Sequence, residues 1–125
     1  MKKLLVMSIM LVAAITFAAA QQRQRPSADE RAKNQTERLD KLVTLTAEQK
    51  TKVQAINLEL AKQMDTQMQN NQGNRDAMRT AMQEIDKTRD AKYKGALTDE
   101  QFKKYSDDKE QRQKEMENRR RQRTS

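Results

Sequence analysis

The side chains that could do chemistry in this sequence are carboxylates and amines, because the chain contains no histidine and no cysteine. This composition removes the usual ligands of zinc, copper and nickel, and with them the Ser-His and Cys-His arrangements of nucleophilic catalysis. Asp107, Asp108 and Glu110 form an acidic cluster, but their spacing does not match a calcium-binding loop. We therefore expect no metal, no cofactor and no disulfide, and we interpret the cluster as a solvated helix face.

Phosphate binding and acid–base catalysis are not favoured either. The two glycines, Gly73 and Gly95, are too far apart to form a glycine-rich phosphate loop. The carboxylates recur four residues before basic side chains, as in ion-paired helices, and no apolar pocket is evident that would raise the pKa of one of them. We predict that the protein is not an enzyme and that its activity does not depend on ATP.

The most informative spacing in the chain is a motif that occurs twice, Leu-Thr-x-x-Gln. Its two copies are Leu45, Thr46, Gln49 and Leu97, Thr98, Gln101. In each copy the threonine can serve as a helix N-cap, and the glutamine can reach back to the N–H of that cap residue, which completes a capping box. Phe102 can pack against the leucine before the second cap, whereas Lys50 stands at the equivalent position of the first. Each copy therefore predicts the start of a helix.

Capping and turn residues divide the chain into four predicted helices. Ser27 and Glu30 form a further capping box, which opens a first helix that runs to about Leu42. The two motif copies open the second and fourth helices. A turn at residues 70–74 separates the second helix from the third, and Gly95 is predicted to end the third in the left-handed conformation.

The second and third helices each carry a single apolar stripe. The stripe residues are Val53, Ile56, Leu60, Met64 and Met68 in the second helix, and Met78, Met82, Ile85 and Tyr93 in the third. These two helices are predicted to pack as an antiparallel hairpin. Because the 105 residues from Gln21 onward contain only 18 large apolar side chains, a thick core cannot form. We predict an all-α fold in which four helices form a thin, open layer. We expect antiparallel dimerisation to complete this layer.

Disorder is the alternative to this fold, because Leu, Ile, Val and Phe make up only 11 of those 105 residues. Two observations favour helix. Glycine and proline are almost absent, and strong helix formers dominate. Acidic residues also precede basic ones by four positions along the whole chain, as in Glu48–Lys52 and Glu117–Arg121, in the orientation that stabilises helices.

The first 20 residues are typical of a secretory signal peptide. Lys2 and Lys3 precede an apolar run from Leu4 to about Phe17, and residues 18–20 are three alanines, the small-residue pattern of a cleavage site. An uncleaved membrane anchor is the alternative. We predict export to the periplasm, a disordered leader at residues 21–26, a helical domain at 27–115 and a basic, frayed tail at 116–125.

Two Leu-Thr-x-x-Gln motifs in a small exported helical chain resemble the Spy/CpxP family of periplasmic chaperones and stress-response proteins, over about residues 40–107. The resemblance implies a flat or cradle-shaped antiparallel dimer and an ATP-independent chaperone of unfolded or misfolded envelope proteins. Some members of that family bind metals through histidines, which this chain lacks. Two other functions stay open: a regulatory subunit that binds and inhibits the periplasmic domain of an envelope-stress sensor, and a structural helical protein.

Removal of the first 20 residues leaves 24 basic and 18 acidic side chains, so the positive charge can attract acidic segments of clients. We predict that the client-binding residues are basic side chains and methionines, namely Lys50, Lys52, Lys62, Arg79, Arg89, Met64, Met68, Met78 and Met82. The methionines could instead only fill a helix interface. We interpret the basic run at residues 119–123 as a solubilising tail, with anionic lipid as an alternative partner. Nucleic acid is not expected, because few aromatic side chains accompany the charge.

Overall fold

The computed structural model describes residues 25–124, which form four α-helices. These are α1 (Ala28–Val43), α2 (Ala47–Asn70), α3 (Arg75–Ala96) and α4 (Asp99–Thr124). The predicted all-α fold of four helices is confirmed. The predicted signal peptide and residues 21–24 of the predicted leader lie outside the described residues, and Arg25 and Pro26 are exposed and non-helical.

The helices begin at the capping residues that the sequence indicates. Ser27 starts α1, Thr46 starts α2 and Thr98 starts α4, each within a reciprocal capping box. In the box of α2, the hydroxyl of Thr46 accepts from the Gln49 N–H at 3.1 Å and the Gln49 side chain accepts from the Thr46 N–H at 3.0 Å. Asn74 caps α3 by accepting from the backbone N–H of Ala77 at 3.0 Å. Each cap satisfies backbone donors that the helix itself leaves unpaired.

The end of α3 differs from the prediction made at Gly95. The prediction that Gly95 ends α3 in the left-handed conformation is wrong, because α3 continues through it to Ala96. Leu97 follows in an extended conformation, and its N–H still bonds to the carbonyl of Tyr93 at 2.8 Å, so the helix closes without a left-handed residue. Thr44 after α1 and Gly73 after α2 are the described residues with positive φ, at 57° and 81°.

The helices assemble around α2. Helix α1 packs along α2 on one side, α3 packs on α2 as the second arm of the predicted antiparallel hairpin, and α4 contacts α1 and α3. The apolar core lies at the end of the molecule where the two motif copies meet. Its buried members are Leu39, Val43, Val53, Tyr93, Leu97 and Tyr105, with Leu45, Ile56 and Phe102 packed at its edge. This small core holds the four helices together at that end of the molecule.

A buried polar network joins three of the helices. Asn57 of α2 is fully buried and donates to the Thr36 hydroxyl of α1 at 3.0 Å, and that hydroxyl donates to the carbonyl of Ala32 at 2.8 Å. The Tyr93 hydroxyl of α3 donates to the other side-chain atom of Asn57, its Oδ1. Burial raises the pKa of Tyr93, so the hydroxyl keeps the proton that it donates. The network therefore fixes how α1, α2 and α3 sit together.

Helix α4 does not end where fraying was predicted to begin. It continues through residue 115 to Thr124, although every residue from Gln111 to Thr124 is exposed. Side-chain ion pairs between Asp108 and Arg112 and between Glu110 and Lys114 run along it in steps of four. These pairs stabilise a helical segment whose side chains are exposed throughout. Fraying of this segment in solution stays a prediction.

Candidate functional site

The two Leu-Thr-x-x-Gln motifs form one structural unit. Gln49 Nε2 donates to Gln101 Oε1 at 2.6 Å, and Gln101 Nε2 donates to Gln49 Oε1 at 3.0 Å. Gln49 Nε2 also lies 3.4 Å from the carbonyl of Ala96 at the end of α3, and Gln101 Nε2 lies 3.0 Å from that of Thr44 after α1. Each glutamine thus caps its own helix and contacts the end of a helix from the other half of the chain. The motif residues lie at a structural junction.

Two of the predicted client-binding lysines are held in ion pairs close to this junction. Lys50 Nζ lies 3.1 Å from Asp40, and Lys52 Nζ lies 3.4 Å from Glu48. Asp40 also accepts from the backbone N–H of Leu45 at 2.9 Å, and this bond, with Lys50 beside it, lowers the pKa of Asp40. Lys50 and Lys52 remain exposed, but part of their charge is already compensated within the molecule.

The other predicted basic residues are not brought together. Lys62 and Arg79 are exposed on α2 and α3, and neither has an ion-pair partner among residues 25–124. Arg89 is half-buried, and its guanidinium lies 3.6 Å from Asp86, one turn earlier in α3. The five basic side chains predicted from the sequence therefore do not form a single patch.

The four predicted methionines lie toward the turn of the hairpin, beyond the buried side chains of Leu60, Ala61 and Ile85. Met64 and Met68 belong to the last turns of α2, and Met78 and Met82 to the first turns of α3. All four are half-buried, so each keeps part of its side chain accessible. One Arg31 guanidinium nitrogen lies 3.6 Å from the sulfur of Met64, and another bonds to Asp65 at 2.6 Å. Helix α1 therefore partly covers Met64.

A cleft of about 630 Å³ opens between α1, α3 and α4, and no pattern in the sequence predicted it. Its apolar lining includes Leu39, Tyr93 and Tyr105, which belong to the core. Leu42 and Met116 also line it, and they are the exposed large apolar side chains of the described residues, with 37% and 59% of their surfaces accessible. Met116 is isolated among polar residues and belongs to no helical stripe, whereas Leu42 lies next to Val43 and three residues after Leu39.

Positive charge prevails in this cleft. It is lined by the cations Arg38, Lys41, Arg89, Lys109 and Arg112 and by the carboxylates Asp86 and Asp108.

Lys109 is the most strongly paired of these cations, because its Nζ lies 2.6 Å from both Asp86 and Asp90. Burial alone would lower the pKa of Lys109, but the two carboxylates raise it overall. Arg38 and Lys41, in contrast, have no ion-pair partner within residues 25–124.

Tyr105 closes the inner side of the cleft. Its hydroxyl donates to Asp90 at 2.7 Å, and its ring meets that of Tyr93 edge to face with centroids 5.0 Å apart. Burial, followed by the hydrogen bond to Asp90, raises the pKa of Tyr105. The hydroxyl is therefore a hydrogen-bond donor and not a nucleophile at neutral pH.

The part of the chain that the structure describes offers neither a metal-binding cluster nor a membrane span. Within residues 25–124, no three acidic side chains come close enough together to hold a metal ion. None of the helices described there is long and apolar enough to cross a membrane.

Comparison with known proteins places the chain in a family whose function has not been described. No curated protein and no solved structure matches it. The family described as "Domain of unknown function (DUF4890)" matches residues 18–105, a range that contains both motif copies and ends at Tyr105. Since this match covers well over half of the chain, the protein belongs to the DUF4890 family.

Proposed function

We propose that this protein is an ATP-independent periplasmic chaperone, similar in role to the Spy/CpxP family that its two motifs resemble. It would bind unfolded or misfolded envelope proteins on basic, partly apolar helix surfaces. The structural unit formed by Gln49 and Gln101 supports this proposal, because it gives the repeated motif a shared physical role. The motif residues hold the scaffold together, and we assign them no contact with clients.

The observation that carries the proposal is the partial exposure of the four hairpin methionines. Met64, Met68, Met78 and Met82 are all half-buried, and they lie outside the buried apolar cluster around the two motif copies. Methionine side chains are flexible and polarizable, so a partly accessible group of them can adapt to apolar segments of different shape. An enzyme site or a single-partner interface would need more rigid, more specific contacts.

Electrostatics would supply the capture step. Lys62 and Arg79 lie on the same two helices as the methionines, are exposed and have no ion-pair partner within residues 25–124. Unpaired surface cations speed encounter with acidic segments and add little to the strength of the final complex. Fast capture with weak apolar contacts suits a chaperone that must release its client without ATP.

The test is suppression of aggregation of an unrelated unfolding protein by the processed chain, at about 0.05 M and 0.5 M salt. We expect suppression at low salt and weaker suppression at high salt. M68Q/M78Q should lower suppression while helicity by circular dichroism is kept, and M68L/M78L should retain it, because leucine preserves the apolar contact. No suppression at either salt concentration would refute the proposal, as would equal activity of the two variants.

The proposed alternative, a regulatory subunit, predicts a different result. It would leave aggregation unsuppressed but would bind the periplasmic domain of one membrane stress sensor in a fixed ratio and inhibit it. Titration of the protein against purified sensor domains measures this directly.

A further inference from the structure

We propose that the cleft between α1, α3 and α4 binds a short client segment in which acidic side chains alternate with apolar ones. This inference rests on the proposed chaperone function and deepens it, because it adds a second client site, separate from the hairpin methionines, and names the chemistry of the segment bound there. Of the basic residues predicted from the sequence, only Arg89 lines this cleft.

The apolar part of the cleft lacks a partner. Leu42 of α1 and Met116 of α4 are the large apolar side chains that stay exposed in residues 25–124, and both line the cleft. Burial of apolar surface is favourable at roughly 25 cal/mol per Å², so an apolar side chain seated between them would be stabilised. Tyr93 of α3 and Tyr105 of α4, whose rings pack edge to face, also line the cleft and belong to the core.

The charge of the cleft selects the polar part of the occupant. Five cations and two carboxylates line it, and Lys109 and Arg112 already pair with aspartates. Arg38 and Lys41 are the cations that keep their charge uncompensated by any residue in the range 25–124. An acidic side chain would complement them, whereas a basic one would be repelled.

Two unpaired polar atoms in the cleft favour a polypeptide over a simple amphiphile, such as a fatty acid, as its occupant. Gln35 Oε1 and Arg89 Nε are buried and have no hydrogen-bond partner within residues 25–124, and both residues line the cleft. An unpaired buried acceptor and an unpaired buried donor are both costly, and both side chains have enough rotatable bonds to turn toward an occupant. A peptide supplies a backbone N–H for the glutamine and a carboxylate for the arginine. A fatty acid supplies only the carboxylate.

The experiment measures binding of a fluorescein-labelled synthetic peptide of alternating leucine and aspartate to the processed full chain by fluorescence anisotropy. Two comparison peptides carry lysine in place of aspartate, or serine in place of leucine. We expect both to bind about tenfold more weakly, because each loses one of the two complementary features. Equal affinity of the three peptides would overturn the proposal.

Matched variants place the binding site. R38Q/K41Q should bind the leucine–aspartate peptide about tenfold more weakly, and L42S/M116S about fivefold more weakly, with helicity kept. K87Q/K94Q removes the same net charge from exposed cations of α3 that lie outside the cleft and have no ion-pair partner within residues 25–124, and it should leave the affinity unchanged. Equal weakening by the two charge variants would show diffuse attraction and would overturn the site.

Competition and aggregation suppression complete the test of the cleft. Laurate, below the concentration at which it forms micelles, should compete poorly with the peptide, and competition at the peptide's own affinity would assign the cleft to amphiphiles instead. The same variants are then assayed for aggregation suppression. If R38Q/K41Q loses neither peptide binding nor suppression, the site fails and the chaperone function stands. If the wild type binds the peptide in the cleft but suppresses nothing, the function fails and the site stands.

Discussion

The side-chain amides of Gln49 and Gln101, 52 residues apart in the chain, hydrogen-bond to each other in both directions at 2.6 and 3.0 Å. Each amide also accepts the backbone N–H of the cap residue of its own helix, at 3.0 Å in both cases. One pair of side chains therefore joins the starts of α2 and α4. This relationship explains why a short capping motif is repeated in so small a protein: the second copy completes the first.

The first prediction isolates this pairing from capping. Gln49→Glu keeps an acceptor for the Thr46 N–H, but it removes the amide donor that bonds to Gln101 and brings two oxygens together. We expect the free energy of unfolding to fall by about 1–2 kcal/mol. Glu30→Gln makes the reverse change in the capping box of α1, which has no such partner, and should alter stability by less than about 0.5 kcal/mol. Urea titration of both variants measures the difference, and equal effects would contradict the pairing.

The second prediction concerns the caps themselves. Replacing Thr46 and Thr98 together by alanine removes the hydroxyls that accept from the backbone N–H groups of Gln49 and Gln101. The loss of two caps should cost about 1–4 kcal/mol. The control is T66A/T80A, because these threonines are exposed inside α2 and α3, where alanine is the better helix former. A melting temperature unchanged by the T46A/T98A substitution would refute the capping role.

The third prediction concerns the buried amide of Asn57. Asn57→Ala leaves the Tyr93 hydroxyl without its acceptor, removes the donor to the Thr36 hydroxyl and opens a cavity among three helices. We expect a loss of about 2–4 kcal/mol, from unpaired polar groups and lost packing together. Asn34→Ala is the matched change at an exposed position of α1 and should be nearly neutral. Chemical denaturation measures the stability of both variants, and equal stability would contradict the role of the network.

The fourth prediction is a pH dependence. The Leu45 N–H and Lys50 hold the pKa of Asp40 below its ordinary value of 3.8. A lowered folded-state pKa contributes stability that is present above the unfolded pKa and is lost as the pH falls through the folded pKa. Wild type should therefore melt higher than Asp40→Asn at pH 6, and the gap should narrow as the pH falls below 3.8 toward the lowered pKa of Asp40. Thermal melts across this range test it, and a gap that does not change with pH would contradict it.

The fifth prediction is the homodimer. A thin layer with half-buried methionines on its hairpin buries more apolar surface when two copies associate. The melting temperature should rise with protein concentration, because association stabilises the folded state by mass action. Sedimentation of the processed chain at micromolar concentration measures its mass directly. A compact monomer with a concentration-independent melt would exclude this association.

Helix positions in this protein are readable from the sequence because capping is local. A threonine and a glutamine three residues later meet within one turn, whatever the rest of the chain does. The same holds for Ser27 with Glu30 and for Asn74 at the start of α3. The one local prediction that was wrong, at Gly95, concerned a helix end, where an extended Leu97 is as compatible with the sequence as a left-handed glycine.

The contacts between helices could not be read in the same way. Asn57 lies beside Ile56 in the predicted apolar stripe, yet its type suggests exposure; it is fully buried because Thr36 and Tyr93 approach it from two other helices. Met116 gave no periodic signal, and Leu42 lies at helical spacing from Leu39 like a core residue; the two share a cleft only because α1 and α4 come together there. Patterns along a chain reflect forces within a few residues, so they place helix starts and apolar stripes. Which side chains meet across helices depends on how those helices pack, and only the three-dimensional arrangement shows it.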